Sequence, residues 1–351
     1  MSAPHLSRSD VQKAKAFRTA GGPSIDDVTF DDVEVLPPGP GQVAVDIKAV
    51  SLNFRDLAVV TGRYPRRVSG PTVIASDSCG EVISVGAGVT AFKPGDRVAG
   101  SFFQNWITGP FVREYGNSAL GGAIDGVLTQ QRVFDQEGLV RVPEHVSYEE
   151  GATLPCAGLT AWNALVPTAH VEAGDTVLLL GTGGVSIFGL QFAKLHGARV
   201  IITSSSDQKL EHARALGADE TINYKKNPDW EKEVLRLTGG KGVDIVLEVG
   251  GAETFPRSMS SVRASGQIVV IGVLSGVAGT VPLGLIGLQT LSVRGVYVGS
   301  VAMFEDMNRA ITLHRLRPVI DRVFSFEETR DALRYLQSAR HFGKVVISLE
   351  K

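Results

Sequence analysis

A chain of 351 residues exceeds the usual size of one domain, so two domains are the default, each large enough to bury its own core. Hydrophobic residues make up 43% and charged residues 21%, and a net charge of -2 gives no electrostatic reason to expect nucleic acid or an anionic membrane as a partner. A small molecule is the expected one, and only two cysteines, Cys79 and Cys156, exclude a disulfide framework or a four-cysteine zinc lobe.

The N-terminal stretch MSAPHLSRSDVQKAKAF has no apolar signal-peptide core, and no segment approaches the ~20 uninterrupted apolar residues of a membrane span. These features predict a soluble, cytoplasmic protein. From Val28 to Arg141 the pattern is short strands broken by Gly and Pro, as in QVAVDIKAVSLN, CGEVISVGAGV and the turn at KPGDRVAG. Ser101 to Gly126, with Trp106 and Pro110, shows no clear period and reads as an ordered loop available to a substrate pocket.

After GLVRVPEHVSYEEGATLPCAGLTAWNAL, short apolar runs alternate with helical stretches. TVLLLG, ARVIITS, VDIVLEVG, GQIVVIG and TLSVRGVYV read as buried parallel strands. GVSIFGLQFAKLHG, SDQKLEHARALG and PDWEKEVLRLTGG read as helices, the second with Asp207 as its acidic N-cap and Gly217 at its end. This α/β alternation predicts a doubly wound parallel sheet. Ser300 to Lys351, with an amphipathic helix around Met303 to Leu316 and a terminal KVVISL strand, is expected to return to the first domain.

The strand, turn and helix in VLLLGTGGVSIFGLQFAKLHGARVIIT suit a dinucleotide. Gly181 and Gly183 permit a tight turn and close approach to a pyrophosphate, and Gly184 and Val185 open a helix whose amides face it. The third fingerprint position is Ser186 rather than Gly. At the end of the next strand, where NAD sites place an acid, the chain reads Thr203, Ser204, Ser205 and Ser206, with Lys209 a turn later. Hydroxyls and an ammonium suit the 2′-phosphate of NADPH. The other reading is that the serines cap the helix, Lys209 is solvated, and nearby Asp207 disfavours phosphate.

Across nearly its whole length the chain resembles the medium-chain dehydrogenase/reductase superfamily. The resemblance is carried by NFRD at 53–56, GRYP at 62–65, GEVISVGAGVTAFKPGDRV, LPCAGLTAW, the Gly-rich fingerprint, INY at 222–224 and FGKVVI. It implies a GroES-like β-rich catalytic domain (1–155 and 300–351), a Rossmann-type NADP-binding domain (156–299) and a cleft between them. Zinc alcohol dehydrogenases carry a Cys three residues before the acid of the first motif, a Gly-His-Glu triplet, and a Cys before the helix entering the cofactor domain. Here those places hold Asn53, the segment Ala75-Ser76-Asp77, and Cys156, and one thiolate among poor donors is not a zinc site. Cys156 reads as a small apolar residue at a domain junction.

NFRD with GRYP instead resembles the zinc-free quinone reductases. That likeness implies that Asn53 and Phe54 lie against the nicotinamide and Tyr64 lines the substrate side. A phenol there can stabilise developing enolate charge, and Tyr64 reads equally as a loop aromatic beside Pro65. The resemblance also places Thr160 near the nicotinamide, Lys209 and Tyr224 on the phosphate, Ser204 where NAD-dependent relatives have an acid, and Phe342, Gly343 and Lys344 closing on the cofactor. Val249, Gly250, Ile271 and Gly272 end the fourth and fifth strands, the ligand-binding edge of an open α/β sheet. His145, His170, His196, His212, His314 and His341 lack metal-ligand spacing and read as surface residues.

The leading expectation is metal-free hydride transfer from NADPH to a quinone or an activated C=C bond. A zinc-independent alcohol or carbonyl dehydrogenase and a non-catalytic NADPH-binding protein are the alternatives. A homodimer paired through Thr290–Ser300 is also expected.

Overall fold

Strands form where apolar and polar residues alternate. The computed structural model describes residues 11–20, 22–64 and 70–350. It begins with β1 (Gln12–Thr19), β2 (Thr29–Val35), β3 (Gln42–Leu52), α1 (Phe54–Val60), β4 (Thr72–Val73), β5 (Asp77–Val85), β6 (Arg97–Gly100), β7 (Gln131–Asp135), β8 (Leu139–Arg141) and α2 (Tyr148–Ala152). Strand and helix then alternate through α3 (Leu159–Asn163), β9 (Thr176–Leu179), α4 (Gly184–Leu195), β10 (Arg199–Ser204), α5 (Asp207–Ala215), β11 (Glu220–Asn223), α6 (Trp230–Leu237), β12 (Val243–Glu248), α7 (Phe255–Ser261), β13 (Val262–Val270), α8 (Leu283–Leu288) and β14 (Ser292–Gly295). The chain ends with α9 (Val301–His314), β15 (Ile320–Ser325), α10 (Thr329–Gln337) and β16 (Lys344–Ser348). Two units result, Met1–Cys156 with Gly299–Lys351, and Ala157–Val298.

In the first unit, β2-β1-β4 make a small sheet, and a larger one runs β15-β16-β3-β5-β6-β8 with β7 also on β3. The final strand β16 lies against β3, Val345 opposite Leu52 and Ile347 opposite Val50, so the C-terminus completes the sheet. Val45, Ile47, Val50, Leu52, Leu57, Val82, Phe134, Val345 and Ile347 share one core, and burying each large side chain stabilises the unit by roughly 1.5–3 kcal/mol. The 101–126 loop holds a short helical turn, Arg113–Ser118, and is packed by its own rings: Trp106 lies 5.1 Å from Phe111 and 6.0 Å from Tyr115.

The second unit is one parallel sheet in the order β11-β10-β9-β12-β13-β14. The order reverses at β9 and β12, the switch point where open α/β sheets take ligands beyond their strand ends. Its central strands β9, β10 and β12 are buried along nearly their whole length, and Leu178, Ile201 and Val246 share a core with Ile268 of β13, whereas β14, Ser292–Gly295, is largely exposed. Two sequence expectations are corrected. Ser206, not Asp207, caps α5, because its hydroxyl accepts the Lys209 N–H and Asp207 is the first helical residue. The strand expected over TLSVRGVYV is shortened to Ser292–Gly295, and Ser300 then caps α9. Among the described residues no helix is long and apolar enough to cross a membrane.

Candidate functional site

The Gly-rich turn follows β9. Gly181 has a φ of 73°, and neither Gly181 nor Gly183 has an atom within 4 Å of the place a Cβ would take. The backbone there is bare, an open cradle that any side chain would fill. Gly183 caps α4, so the amides of Gly184 and Val185 begin a helix of 12 residues, whose unpaired N–H groups and dipole favour an anion. Ser186 is buried and donates to the Leu180 carbonyl at 2.7 Å, tying the helix to the strand end. Close helix–sheet packing falls to Gly189, where a Cβ would lie 3.1 Å from Leu179 and Leu247. Sequence reading missed Gly189, whose signal was a glycine inside an otherwise apolar helix.

At the end of β10, Thr203 accepts the Gly181 N–H at 3.1 Å, so its hydroxyl braces the turn. Ser204 is buried, 3.4 Å from the Thr182 hydroxyl, and its carbonyl accepts the Tyr224 N–H at 3.0 Å. That bond places Tyr224, 41% exposed, beside Ser204, with Ser205 and half-buried Lys209 following along the chain. Asp207 does not leave an unmatched charge there. Lys226 at 2.6 Å and Asn223 at 2.7 Å hold its carboxyl below the usual range. Sequence reading missed Lys226, two residues after the INY motif.

The ends of β12 and β13 are organised by a residue the sequence did not single out. Glu248 is fully buried and accepts from the Gly250 and Gly251 amides and the Thr254 and Ser258 hydroxyls. Its carbonyl accepts from Ile271 at 2.8 Å and Gly272 at 3.2 Å. Val249, Gly250, Ile271 and Gly272 are thus fixed just beyond the strands, which stop at Glu248 and Val270, two residues earlier than expected. Thr160 is buried in α3.

In the first unit, Asn53 caps α1 and its N–H donates to Asp56 at 2.8 Å. Phe54, next along, is 51% exposed. The Arg55 guanidinium lies 5.1 Å from the Tyr64 ring centre and 4.8 Å from that of Phe102, and donates to the Leu120 carbonyl. Tyr64 is therefore placed by a cation–π contact. Pro65 lies outside the described residues. Ala75 has a φ of 67°, a left-handed conformation that costs a non-glycine residue on the order of 1 kcal/mol.

Beside it, buried Asp77 accepts from the Ser76 hydroxyl at 2.6 Å and the Cys156 N–H at 3.0 Å. Burial raises its pKa, opposed chiefly by the Lys344 ammonium. Burial likewise pushes the Cys156 thiol far up. Lys344 turns its ammonium inward, to the Leu52 carbonyl at 2.7 Å and Asn53 Oδ1 at 2.5 Å. Buried Asn53, Asp56, Asp77 and Lys344 thus share one cluster with half-buried Cys156.

Burial raises Asp56 to about 6, the Arg55 charge opposing it. A raised folded-state pKa means that the carboxyl's contribution is fully present below about 3.8 and is lost as pH rises through about 6. Asp56→Asn keeps an acceptor for the Asn53 N–H without the buried charge. The variant is expected to exceed wild type in unfolding free energy by on the order of 1–3 kcal/mol at pH 8, a gain that shrinks between pH 6 and 4. Denaturant unfolding at pH 8 and pH 4 checks this, and a variant less stable than wild type at pH 8 contradicts it.

Comparison with known proteins fits this geometry. A zinc-binding dehydrogenase model matches residues 184–313, and an alcohol dehydrogenase GroES-like domain model matches residues 39–144. A zinc-type alcohol dehydrogenase-like protein of Schizosaccharomyces pombe is 44% identical over 318 residues, spanning 89% of this chain and 92% of that protein. The chain belongs to the medium-chain dehydrogenase/reductase superfamily of oxidoreductases. A quinone oxidoreductase of Pseudomonas aeruginosa is 32% identical, over 96% of this chain and 99% of its own. A solved NAD-dependent alcohol dehydrogenase is 36% identical with a TM-score of 0.86, covering 97% of this chain and all of the other.

Catalytic zinc needs three good protein ligands and an open position. At the matching positions stand Asn53, Ser76 with Asp77 next to it in the chain, and Cys156, with the Lys344 ammonium on Asn53 Oδ1. Among the described residues no group of three or more His, Cys, Asp and Glu side chains could hold a metal. This donor set does not fit zinc.

Proposed function

We propose that the chain is an NADPH-dependent reductase that delivers hydride to a quinone or to the C=C bond of an α,β-unsaturated carbonyl without a metal. The observation that carries this reading is the Asn53, Asp77, Cys156 and Lys344 cluster, which leaves no Lewis acid to activate an ordinary carbonyl or alcohol. The acceptor must then be electrophilic already.

Bound NADPH supplies the hydride. Gly181, Gly183, Gly184 and Val185 would hold its pyrophosphate by backbone donors, and Ser204, Ser205, Lys209 and Tyr224 would hold the 2′-phosphate, with Asp207 neutralised by Lys226. Thr160, Thr203, Val249, Gly250, Ile271, Gly272, Phe342 and Gly343 are assigned to the rest of the cofactor, Thr203 through its support of the turn. Lys344 is assigned to it only through Asn53. On the substrate side, the Tyr64 phenol donates to the acceptor's oxygen as negative charge builds, and Asn53 and Phe54 orient the reacting groups.

Steady-state NADPH oxidation with quinones, enones and saturated aldehydes tests this. The first two should turn over at least about 100-fold faster than the aldehydes, a difference of about 2.7 kcal/mol in barrier. Preference for aldehydes would favour a second reading, a zinc-independent carbonyl or alcohol dehydrogenase, which the NAD-dependent alcohol dehydrogenase structure supports. Slow oxidation of NADPH with every acceptor would leave a binding protein.

We also propose a homodimer. Among the described residues β14 pairs in its sheet only with β13, and Val293, Tyr297, Leu283, Leu288 and Val277, on it or near it in sequence, are exposed, the last three by 72%, 86% and 82%. An open strand edge with an apolar surround is stabilised by a symmetry mate. Light scattering should give twice the 37.3 kDa chain mass at micromolar concentration, and a monomer would contradict the proposal.

A further inference from the structure

The β3–β16 register brings a cation to the cluster from the far end of the chain. With Val345 opposite Leu52, Lys344 stands across from Asn53. Gly343 makes this entry possible, since its φ is 73° and a Cβ there would lie 2.6 Å from the Val319 carbonyl oxygen. The ammonium is 3% exposed with its residue, donates to Leu52 O and Asn53 Oδ1, and is the chief opposition to the rise that burial imposes on the Asp77 pKa. Asp77 in turn holds the Cys156 amide. Oxygen donors and a carboxylate around a buried positive charge are the surroundings a metal ion would have.

We propose that Lys344 is the built-in cation of this site: a positioning residue that fixes the Asn53 carboxamide, balances Asp77, and keeps a metal ion out of the positions matching zinc ligands in related dehydrogenases. The proposal rests on the metal-free reading above. The ammonium adds to the poverty of the donor set, because it already occupies the electrostatic place of the ion. Restoring a second thiolate at Asn53 should therefore not suffice while Lys344 remains.

The test uses cobalt(II) on the full chain, read by thiolate charge-transfer absorption and by metal content after gel filtration. Wild type and Asn53→Cys should take up little or none. Asn53→Cys with Lys344→Met should bind one cobalt per chain at least about 100-fold more tightly than Asn53→Cys alone. Equal binding with and without Lys344→Met, or none in either, overturns the proposal. Cobalt bound stoichiometrically at this cluster in wild type would instead overturn the metal-free reading itself. A second arm is independent of metal. Lys344→Met alone should lower the melting temperature by about 6–15 °C or prevent folding, because it leaves a buried carboxylate uncompensated. Adding Asp77→Asn should restore most of the loss, whereas a double variant no better than Lys344→Met overturns the proposal.

Discussion

With Ser204→Asp and Lys209→Ala combined, the chain is expected to prefer NADH to NADPH. In wild type the end of β10 presents hydroxyls where an acid would repel a 2′-phosphate, and Asp207, the acid one turn away, is tied to Lys226 and Asn223. Removing the Lys209 ammonium should cost the loss of one charge-assisted contact, on the order of 1.5–3 kcal/mol, or about 10- to 150-fold in NADPH affinity. A carboxylate at Ser204 adds repulsion of the phosphate and accepts from the ribose hydroxyls of NADH. The effects act on opposite cofactors, so the ratio of dissociation constants should shift by more than about 100-fold. Fluorescence titration of both nucleotides checks this. Similar affinities for the two in wild type, or an unchanged ratio in the variant, would contradict the assignment of Ser204 and Lys209.

Features local in sequence were the legible ones. The apolar run before Gly181, the glycines at 181 and 183 and the helix after them form one continuous segment, and their spacing alone implies the turn that is found. The cap of α5 was misplaced by one residue because Ser206 and Asp207 are both good caps, and only the hydrogen bond to the Lys209 amide separates them. Glu248 was invisible for a different reason. An acid at the end of an apolar strand reads as the point where the strand meets water, yet its partners at Gly250, Gly251, Thr254 and Ser258 fold back over it.

The first unit shows the sharper limit. Asn53, Asp77 and Cys156 could be named from motif positions, but that Lys344 joins them depends on a strand pairing between residues 291 apart. A lysine beginning an apolar C-terminal strand gives no sign of which way its side chain turns. The sequence also implied no strain at Ala75, since a positive φ is a glycine habit and nothing in the ASD segment marks it.

On the proposed reading, hydride reaches a conjugated carbon with no metal taking part. This is tested most directly by following the label from NADPH deuterated at the transferring position into the product of an α,β-unsaturated ketone, with zinc content measured on the same sample and the reaction repeated after chelation. Deuterium is expected on the carbon β to the carbonyl, with a retained carbonyl group, less than stoichiometric zinc and an unchanged rate in chelator. Deuterium on the carbonyl carbon, with one zinc per chain and a rate abolished by chelation, would contradict that reading.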